Sequence, residues 1–568
     1  MADDASASRP WLRAYPPGVP AEIDVERLGT LVDLFERAVA DYAGRPALRC
    51  FGTSIDFREL GVGARAVAAW LAAQGFCKGD RIAIMMPNVP AYPVAMLGAL
   101  VAGCTVVNVN PLYTPRELAA QLNDSGARAL FVLENVAHTV ADALPRLDTL
   151  ERVVIAGPGD CLGLKGKVID LAARHIKRAV PAFALPPDLT IRFDAVAKAG
   201  RSLPRPSVSV GPEDLAFLQY TGGTTGTSKA AMLSHRNIMA NVEQSRLWFQ
   251  ASGDDGQERI MVTALPLYHI FALTACFFFY LELGGCCLLI PNPRDVDGFV
   301  KTLAGNRFTH ISGVNTLFNL LANHPKIGSV DFSAAQGFHI AGGMAVQAAV
   351  AATWKRVTGK AILEGYGLSE TSPVVTVNPL ALKEWSGTIG FPIPSTEVSI
   401  RGADGTPLPF GEAGELCVRG PQVMVGYWNR PEETAAAMTA DGFFRTGDIA
   451  VMAPDGQCRI VDRMKDMILV SGFNVYPNEV EDVLAGHPAV LECAVVGARS
   501  EECGEMVVAH VVLKEPGLAA DALRAHARSH LTGYKVPRRI VFRESLPKTN
   551  VGKVLRRALR DEGVPPAG

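Results

Sequence analysis

A glycine- and threonine-rich segment, residues 220–229, holds the densest group of side chains suited to binding phosphate. Its candidate phosphate ligands are Thr221, Gly222, Gly223, Thr224, Thr225, Gly226 and Lys229. Glycines let backbone N–H groups turn toward an anion, and the hydroxyls and the ammonium supply further donors. A Walker A loop is excluded, because two residues separate Gly226 from Lys229 where that loop has none. A flexible polar turn is the alternative interpretation.

Six further motifs follow this segment in order along the chain. They occupy residues 265–269, 341–343, 364–371, 444–448, 462–474 and 547–553. Between them they supply glycines, carboxylates, a histidine and lysines. The last lysine, Lys553, comes about three hundred residues after the phosphate-binding segment, so the fold must bring distant parts of the chain together.

Helical and strand-like patterns alternate over the first four-fifths of the chain. Residues 30–42 predict an amphipathic helix, and residues 94–102 an apolar helix that stops at Gly103. Short apolar runs at 81–85 and 106–109 predict strands, as does the run at 215–220 before the phosphate-binding segment. This βαβ rhythm predicts parallel sheets covered by helices.

The pattern changes from residue 397 onward. Short strands are predicted at 397–400, 415–419 and 457–461, separated by turns, and they indicate a small β-rich subdomain. Beyond the charged stretch 462–466, helices are predicted at 477–484 and 521–530 and strands at 493–496 and 506–512. The predicted fold is therefore α/β. It has a large N-terminal domain over 1–462, which includes the β-rich subdomain, and a small mobile α+β domain over 463–568.

Composition excludes several classes of protein. A chain of 568 residues is too long for one hydrophobic core. Its formal net charge of -2 gives no overall attraction to nucleic acid. The eleven cysteines form no C-x-x-C pair, which indicates reduced thiols and a cytoplasmic location. Residues 1–10 lack the basic start and apolar centre of a signal peptide.

An apolar run at 270–290 is too short to cross a membrane. Glu282 and the Gly284-Gly285 pair interrupt it after about twelve apolar residues, whereas a span needs about 20. The run predicts a buried helix that ends at the glycines, followed by a strand at 286–290.

One segment, 165–178, combines basic and apolar residues. The basic residues are Lys165, Lys167, Arg174, His175, Lys177 and Arg178, and the apolar ones are Val168, Ile169, Leu171 and Ile176. The pattern favours a solvated surface helix. Peripheral contact with the inner face of an anionic membrane is the alternative.

Together the motifs resemble those of adenylate-forming enzymes, which include acyl-CoA synthetases, luciferases and peptide-synthetase adenylation domains. The resemblance spans nearly the whole chain. Segments 107–117 and 471–479 are similar to those of bacterial long-chain fatty-acid:CoA ligases. It implies that ATP activates a fatty acid as acyl-AMP with release of pyrophosphate, and that the acyl group then passes to the thiol of CoA.

The resemblance also implies a nucleotide site. Its residues would be Gly342, Glu364, Gly365, Tyr366, Gly367, Ser369, Asp448 and Arg463, beside the phosphate-binding segment. Glu370 and Thr221 would hold Mg²⁺. Tyr366 offers a flat face for adenine, although a core tyrosine fits the pattern equally well. Asp448 can accept hydrogen bonds from the ribose hydroxyls, or it is an ordinary turn residue.

The catalytic residues implied by the resemblance lie far apart in sequence. Lys553 would bridge the substrate carboxylate and the α-phosphate. A hinge near Lys465 would rotate the small domain, withdraw Lys553 and bring the CoA-binding residues Gly472 and Phe473 forward. His269 would orient the acyl group or line the pocket mouth, and a structural role stays equally open.

Several alternatives remain at the level of sequence. Ala230 stands where relatives commonly have glycine, Arg445 where they often have histidine, and the pair Thr227-Ser228 is unusual. These departures bear on phosphate affinity but remove no catalytic group. A medium-chain or aryl acid:CoA ligase, an enzyme that acylates a carrier protein, and an inactive acyl-binding protein are the competing functions. Monomer and homodimer are both open.

Overall fold

The computed structural model describes residues 9–221, 228–250, 258–333, 335, 339–500, 503–549 and 552–562. Within these ranges the strands form four sheets. The strands of the first three-quarters of the chain are β1 Pro46–Cys50, β2 Thr53–Asp56, β3 Arg81–Met85, β4 Thr105–Asn108, β5 Ala129–Leu133, β6 Arg152–Ala156, β7 Thr190–Arg192, β8 Leu215–Thr221, β9 Lys229–Ser234, β10 Ile260–Thr263, β11 Cys286–Leu289, β12 His310–Gly313, β13 His339–Ala341, β14 Ile362–Gly367, β15 Val374–Val377, β16 Phe391–Pro392, β17 Glu397–Arg401, β18 Ala413–Arg419 and β19 Gly426–Tyr427. Those that follow are β20 Phe444–Met452, β21 Cys458–Arg463, β22 Ile468–Val470, β23 Phe473–Val475, β24 Val490–Ser500, β25 Gly504–Leu513 and β26 Arg539–Phe542.

Two large sheets form the body of the N-terminal domain. One has the order β16-β15-β14-β13-β12-β10-β11-β1-β2, and the other has the order β19-β9-β8-β4-β3-β5-β6-β7. The central strands pair in parallel, and antiparallel pairs occur toward the edges. Strands β4 and β5 are buried along their whole length, as expected where helices cover both faces of a parallel sheet.

Two smaller sheets follow. The sheet β17-β18-β20-β21 is antiparallel and forms the predicted β-rich subdomain. The sheet β23-β22-β25-β24, with β26 beside β25, forms the core of the C-terminal domain. The predicted fold class, a large α/β domain followed by a small α+β domain, is confirmed.

The helices fill the connections between strands. The α-helices are α1 Leu31–Asp41, α2 Phe57–Ala73, α3 Ala91–Val101, α4 Pro115–Ser125, α5 Ala137–Ala143, α6 Gly163–Leu171, α7 Phe193–Gly200, α8 His235–Gln250, α9 Phe279–Glu282, α10 Val296–Ala304, α11 Asn315–Ala322, α12 Ala348–Thr358, α13 Pro431–Ala436, α14 Pro477–Ala485, α15 Ala520–Arg528 and α16 Arg556–Asp561. Short 3₁₀ turns occupy Pro10–Ala14, Val25–Arg27, Glu134–Val136, Leu144–Arg146, Ile327–Ser329, Ser369–Thr371 and Gly533–Lys535. Two π-helical stretches, Ala172–Ile176 and Ala272–Phe278, lie next to α6 and α9.

The sequence specifies several helix ends locally. At the start of α4, the Thr114 hydroxyl accepts from the backbone N–H of Glu117, whose carboxylate accepts from the N–H of Thr114 at 2.8 Å. Helices α1 and α2 begin with the same reciprocal arrangement. Each such box satisfies two backbone donors that the first turn of a helix leaves free.

The apolar run at 270–290 is buried, as predicted, but it is not one regular helix. The π-helical stretch Ala272–Phe278 passes into α9, and the chain turns at Gly284 in the left-handed region before β11. No helix in the described ranges is both long and apolar enough to span a bilayer.

A buried guanidinium links the two domains. Arg556 of α16 donates to both carboxylate oxygens of Glu481 at 2.8 Å. It also lies 3.6 Å from Asp462 and 3.5 Å from Asp466. Asp462 belongs to β21, so the predicted domain limit after residue 462 falls one residue before that strand ends at Arg463.

Candidate functional site

A cleft of about 1290 Å³ lies between the two domains, at the carboxyl ends of β13 and β14. Ligands of open α/β sheets commonly bind at this end of the strands. Eight of the sequence-predicted site residues line the cleft: Glu364, Gly365, Tyr366, Gly367, Asp448, Arg463, Lys465 and Lys553. The structure therefore brings residues from both domains to one space.

Asp448 is the centre of a hydrogen-bonded group on the cleft wall. The Tyr366 hydroxyl donates to its Oδ2 at 2.6 Å, and the Arg463 Nε lies 3.2 Å from its Oδ1. Asp448 and Arg463 are register partners on β20 and β21, so the sheet itself sets their spacing. Burial and the adjacent carboxylate raise the pKa of Tyr366, which keeps its hydroxyl protonated as a donor.

Arg445, which departs from the family pattern, stabilises the turn before Asp448 through Glu415. Its guanidinium donates to Glu415 Oε2 at 2.9 Å, and Glu415 Oε1 accepts from the Gly447 N–H at 3.1 Å. Gly447 immediately precedes Asp448. The arginine therefore holds the turn that presents the Asp448 carboxylate.

Glu364 is bound by protein donors rather than facing the cleft unpaired. Its Oε1 accepts from the Val346 N–H at 2.8 Å, and its Oε2 accepts from the Trp385 indole at 2.7 Å. Burial raises the pKa of Glu364 to about 7. Trp385 also lines the cleft. Sequence analysis missed it because a lone tryptophan in a loop gives no signal of its own.

Two glycines leave no room for a Cβ atom, one beside backbone and one beside a lysine side chain. A Cβ on Gly367 would lie 1.9 Å from the Pro373 carbonyl oxygen. Gly343 has φ +80, and a Cβ there would lie 2.8 Å from Lys553 Cε. Its neighbour Gly342 packs against the Phe271 ring and the Gly365 carbonyl. The glycines after β13 thus make room for the lysine of the other domain.

Lys553 enters the cleft on a short loop that docks on the large domain. The Thr316 hydroxyl donates to the Gly552 carbonyl at 2.8 Å, and the Lys553 N–H donates to the Thr549 hydroxyl at 3.0 Å. Burial and the nearby Arg463 lower the pKa of Lys553 to about 8, against the opposing effect of Asp448 and Glu370. The ammonium is thus charged at neutral pH but sits close to its titration point.

His269 lies within electrostatic reach of this ammonium. Burial and Lys553 lower the pKa of His269 to about 3, so the ring is neutral. Its Nδ1 accepts from the Phe271 N–H at 3.4 Å, which assigns the proton to Nε2. His269 does not itself line the cleft.

Strands β8 and β9 flank the phosphate-binding segment and pair antiparallel. Thr221 pairs with Lys229, and the Ser228 hydroxyl donates to the Thr221 carbonyl at 2.7 Å. The predicted ligands between them, Gly222, Gly223, Thr224, Thr225 and Gly226, lie outside the described residues. Ala230 pairs with Tyr220 in the ladder, where glycine would offer no conformational advantage.

Tyr427 contacts both Glu370 and Lys229. The Tyr427 hydroxyl donates to Glu370 Oε1 at 2.9 Å, and the Lys229 ammonium lies 5.3 Å from the centroid of the Tyr427 ring. Glu370 lies in the turn Ser369–Thr371, and burial raises the pKa of its carboxyl. Sequence analysis missed Tyr427, which reaches this position because β19 pairs with β9.

The donor set around Glu370 suits Mg²⁺ held jointly with a phosphate-bearing substrate. Across the described ranges no group of three or more histidine, cysteine or acidic side chains could hold a metal by itself. Mg²⁺ commonly uses one or two carboxylates and completes its shell with phosphates and water. A buried carboxylate in a turn that contacts β8, which ends at Thr221, and β9 fits that mode.

The predicted CoA-binding residues lie away from the cleft. Gly472 has φ +85 at the turn between β22 and β23, and a Cβ there would meet no atom within 4 Å. Phe473 is exposed and stacks on Tyr534 with ring centroids 5.0 Å apart. In this arrangement the small domain presents Lys553 to the cleft and Gly472 to solvent.

Comparison with known families agrees with this geometry. The AMP-binding enzyme family matches residues 35–428, and the AMP-binding enzyme C-terminal domain matches residues 479–553. The chain belongs to the AMP-binding enzyme family, so the predicted resemblance to adenylate-forming enzymes is confirmed.

Named relatives are similar over nearly the whole chain. The long-chain-fatty-acid–CoA ligase of Salmonella typhimurium is 52% identical over 97% of this chain and 98% of its own. That of Haemophilus influenzae is 47% identical over 98% of each. ATP-bound MatB from Rhodopseudomonas palustris is 28% identical, with a TM-score of 0.78 over 94% of this chain and 98% of its own. The anthranilate CoA ligase AuaEII has a TM-score of 0.82 at 24% identity, over 96% of this chain and 98% of its own, and so shares the fold.

Replacing Gly343 by alanine should displace Lys553 and lower ATP-dependent activity. A Cβ at this position would overlap the lysine side chain, and a displacement of about 1 Å at a reacting group can lower a rate by about 10²-fold. The measurement is the rate of pyrophosphate release from ATP.

Gly359→Ala is the matched control. Gly359 also has a left-handed backbone, with φ +71, but a Cβ there would meet nothing within 4 Å. Both variants therefore carry a similar backbone cost of about 1–2 kcal/mol. Equal rates for the two variants would contradict the role given to Gly343.

Proposed function

We propose that this chain is an AMP-forming fatty-acid:CoA ligase with a preference for long-chain acids. The observation that carries the proposal is the placement of Lys553, on the small domain, against Gly343 in a cleft that also holds Asp448. Its support from relatives is the full-length similarity to long-chain-fatty-acid–CoA ligases.

The nucleotide would lie along the cleft wall formed by β14 and β20. Tyr366 would present its ring to adenine, and Asp448 would accept hydrogen bonds from the ribose hydroxyls. Both Asp448 oxygens already have protein partners, a hydroxyl donor and a paired guanidinium, so the ribose would share or replace those partners. Glu364 would act indirectly by holding Val346 and Trp385 at the cleft.

The reaction joins two anions, and its barrier is largely electrostatic. The hairpin segment with Lys229 would hold the β- and γ-phosphates, and Glu370 with Thr221 would hold Mg²⁺. When bound, the metal supplies positive charge that stabilises the departing pyrophosphate. Lys553 would supply charge between the carboxylate and the α-phosphate, where repulsion is greatest. Neutral His269, which does not line the cleft itself, would orient the acyl group without adding charge.

Transfer to CoA requires a different surface of the small domain. We place the domain limit at 462/463 and the hinge near Lys465, which follows the end of β21 and lines the cleft. Rotation about this hinge would withdraw Lys553 and bring Gly472 and Phe473 toward the acyl group. What supports this step is that those two residues face away from the cleft while Lys553 occupies it.

We also propose a cytoplasmic location with peripheral contact at the inner face of a membrane. All eleven cysteines are described and all are free thiols, which suits a reducing compartment. The substrates would be a fatty acid, ATP and CoA, with Mg²⁺ as cofactor and no nucleic acid partner.

The acid substrate can be tested directly. Purified protein with ATP, Mg²⁺ and CoA should form thioesters fastest with long-chain acids when short, medium, long and aromatic acids are compared. Aromatic acids belong in the comparison because an aryl acid:CoA ligase is a competing function. Faster turnover of an aromatic or medium-chain acid would overturn the proposed preference, and acyl-AMP without thioester would point to another acceptor.

Lys553→Ala should abolish formation of acyl-adenylate but spare the second half-reaction. Loss of one such donor lowers the rate by about 10²–10³-fold, measured as pyrophosphate release that depends on added fatty acid. Thioester synthesis from supplied acyl-adenylate should stay close to the wild-type rate. Lys514→Ala, an exposed lysine of the same domain, is the control for both reactions. Equal loss in the two half-reactions would contradict the proposed rotation.

Acyl-adenylate formation should decrease as pH rises above about 8. The pKa of Lys553 is lowered to about 8, so its charge is complete below that pH and is lost as pH rises through it. The measurement is kcat/KM for ATP, which reports the free enzyme. Lys553→Arg keeps its charge at higher pH, so its profile should lose this decrease at a lower overall rate. A decrease unchanged in Lys553→Arg would assign it to another group.

A further inference from the structure

Helix α6 and the π-helical stretch after it carry a row of large aliphatic side chains that face solvent. The exposed fractions are 82% for Leu164, 65% for Val168, 58% for Leu171 and 79% for Ile176. Single exposed apolar residues are ordinary, but four within thirteen positions of one segment form a continuous patch that usually marks an interaction surface.

The opposite side of this segment is fixed to the protein. Gly166 packs so closely on Gly159 that a Cβ would lie 1.9 Å from the Gly159 carbonyl oxygen. Asp170 accepts from the Gly159 N–H at 2.7 Å, and Arg174 donates to Glu134 at 2.7 Å. The segment therefore cannot roll over to bury its aliphatic row without breaking these contacts.

Exposed cations border the aliphatic row. They are Lys165, Lys167, Lys177 and Arg178. The single acidic residue between 163 and 178 is Asp170, and it is half-buried against Gly159. The outward side thus combines aliphatic groups and positive charge.

A hairpin tip extends the patch. Phe51, at the turn between β1 and β2, is 42% exposed and has φ 49, an uncommon conformation for a bulky residue. The Lys165 ammonium donates at 3.0 Å to the carbonyl of Gly52, the residue that follows Phe51. This contact joins the hairpin tip to α6, so an aromatic ring stands beside the aliphatic row.

We infer that Phe51 and the outward side of residues 164–178 form a docking surface for an anionic lipid bilayer. Aliphatic side chains flanked by lysine and arginine suit the boundary between acyl chains and anionic headgroups, because the long cationic side chains can reach the headgroups. A second copy of the same surface is disfavoured, since it would oppose like charges. The structure thus favours the membrane alternative over the solvated helix favoured by sequence, because it turns the apolar residues outward.

This inference rests on the proposed membrane contact and assigns it to a surface, without depending on the chemistry of the proposed ligase. It is tested with the full-length protein alone, by co-sedimentation with vesicles. Vesicles of equal parts phosphatidylcholine and phosphatidylglycerol should bind the protein, and vesicles of phosphatidylcholine alone should bind it weakly. Added salt should release it from the anionic vesicles.

Two sets of substitutions separate the contributions. Leu164→Ser, Val168→Ser and Ile176→Ser together should lower the partition coefficient by roughly tenfold or more. Lys167→Gln, Lys177→Gln and Arg178→Gln together should lower it about 100-fold on anionic vesicles, because each cation near such a surface contributes about a factor of five.

Matched controls come from exposed residues elsewhere. Phe410→Ser with Val425→Ser changes exposed apolar residues, and Lys301→Gln, Lys514→Gln and Arg528→Gln together remove three exposed cations. Both control proteins should bind vesicles as the wild type does. All variants should keep the wild-type thermal midpoint.

Three results would overturn the inference. The first is no binding to anionic vesicles by the wild type, and the second is equal loss in test and control variants. The third is a concentration-dependent dimer in solution that only the aliphatic variant abolishes, because it would assign the patch to a second copy of this chain.

Discussion

The buried ammonium of Lys553 is the constraint on which the site depends. Removing a cation from water is costly unless opposite charges compensate it. Here Asp448 and Glu370 offset the burial, while Arg463 opposes them and leaves the pKa at about 8. The balance holds only while the loop that carries Lys553 is docked through Thr316 and Gly552. A substrate that adds negative charge to the cleft would strengthen this docked arrangement, which couples the chemistry to the position of the small domain.

The order of elements was largely predictable from sequence because it rests on local signals. The strand Arg81–Met85 was predicted to the residue, and the Thr114 and Glu117 pair sets the start of α4 independently of the rest of the fold. The irregular passage from the π-helical stretch to α9 was not predictable, since apolar periodicity cannot separate a buried α-helix from a buried π-helical one. The family membership followed from the order of motifs rather than from any single motif.

The candidate site was predictable only as a set of residues. That Lys553 reaches Gly343 depends on packing between domains, which no local pattern reports. Trp385 and Tyr427 carry no motif and come to the site through a loop and an edge strand, so sequence analysis missed them. The sequence showed that α6 mixes aliphatic and basic residues. Which side of the helix faces solvent is set by contacts such as that of Gly166 with Gly159. Ala230 departs from the family pattern without consequence for the backbone, because it lies in a regular ladder.

The position of the Arg556 guanidinium has a consequence for the proposed rotation of the small domain. It lies 3.6 Å from Asp462 and 3.5 Å from Asp466. These two aspartates lie on either side of Lys465, the proposed hinge residue. Its main partner, Glu481, belongs to the small domain and would move with it in the proposed rotation. A twist of the peptide between the two aspartates would therefore take place beside a cation that is ion-paired with both. Such a rotation would keep a positive charge near both carboxylates throughout the movement.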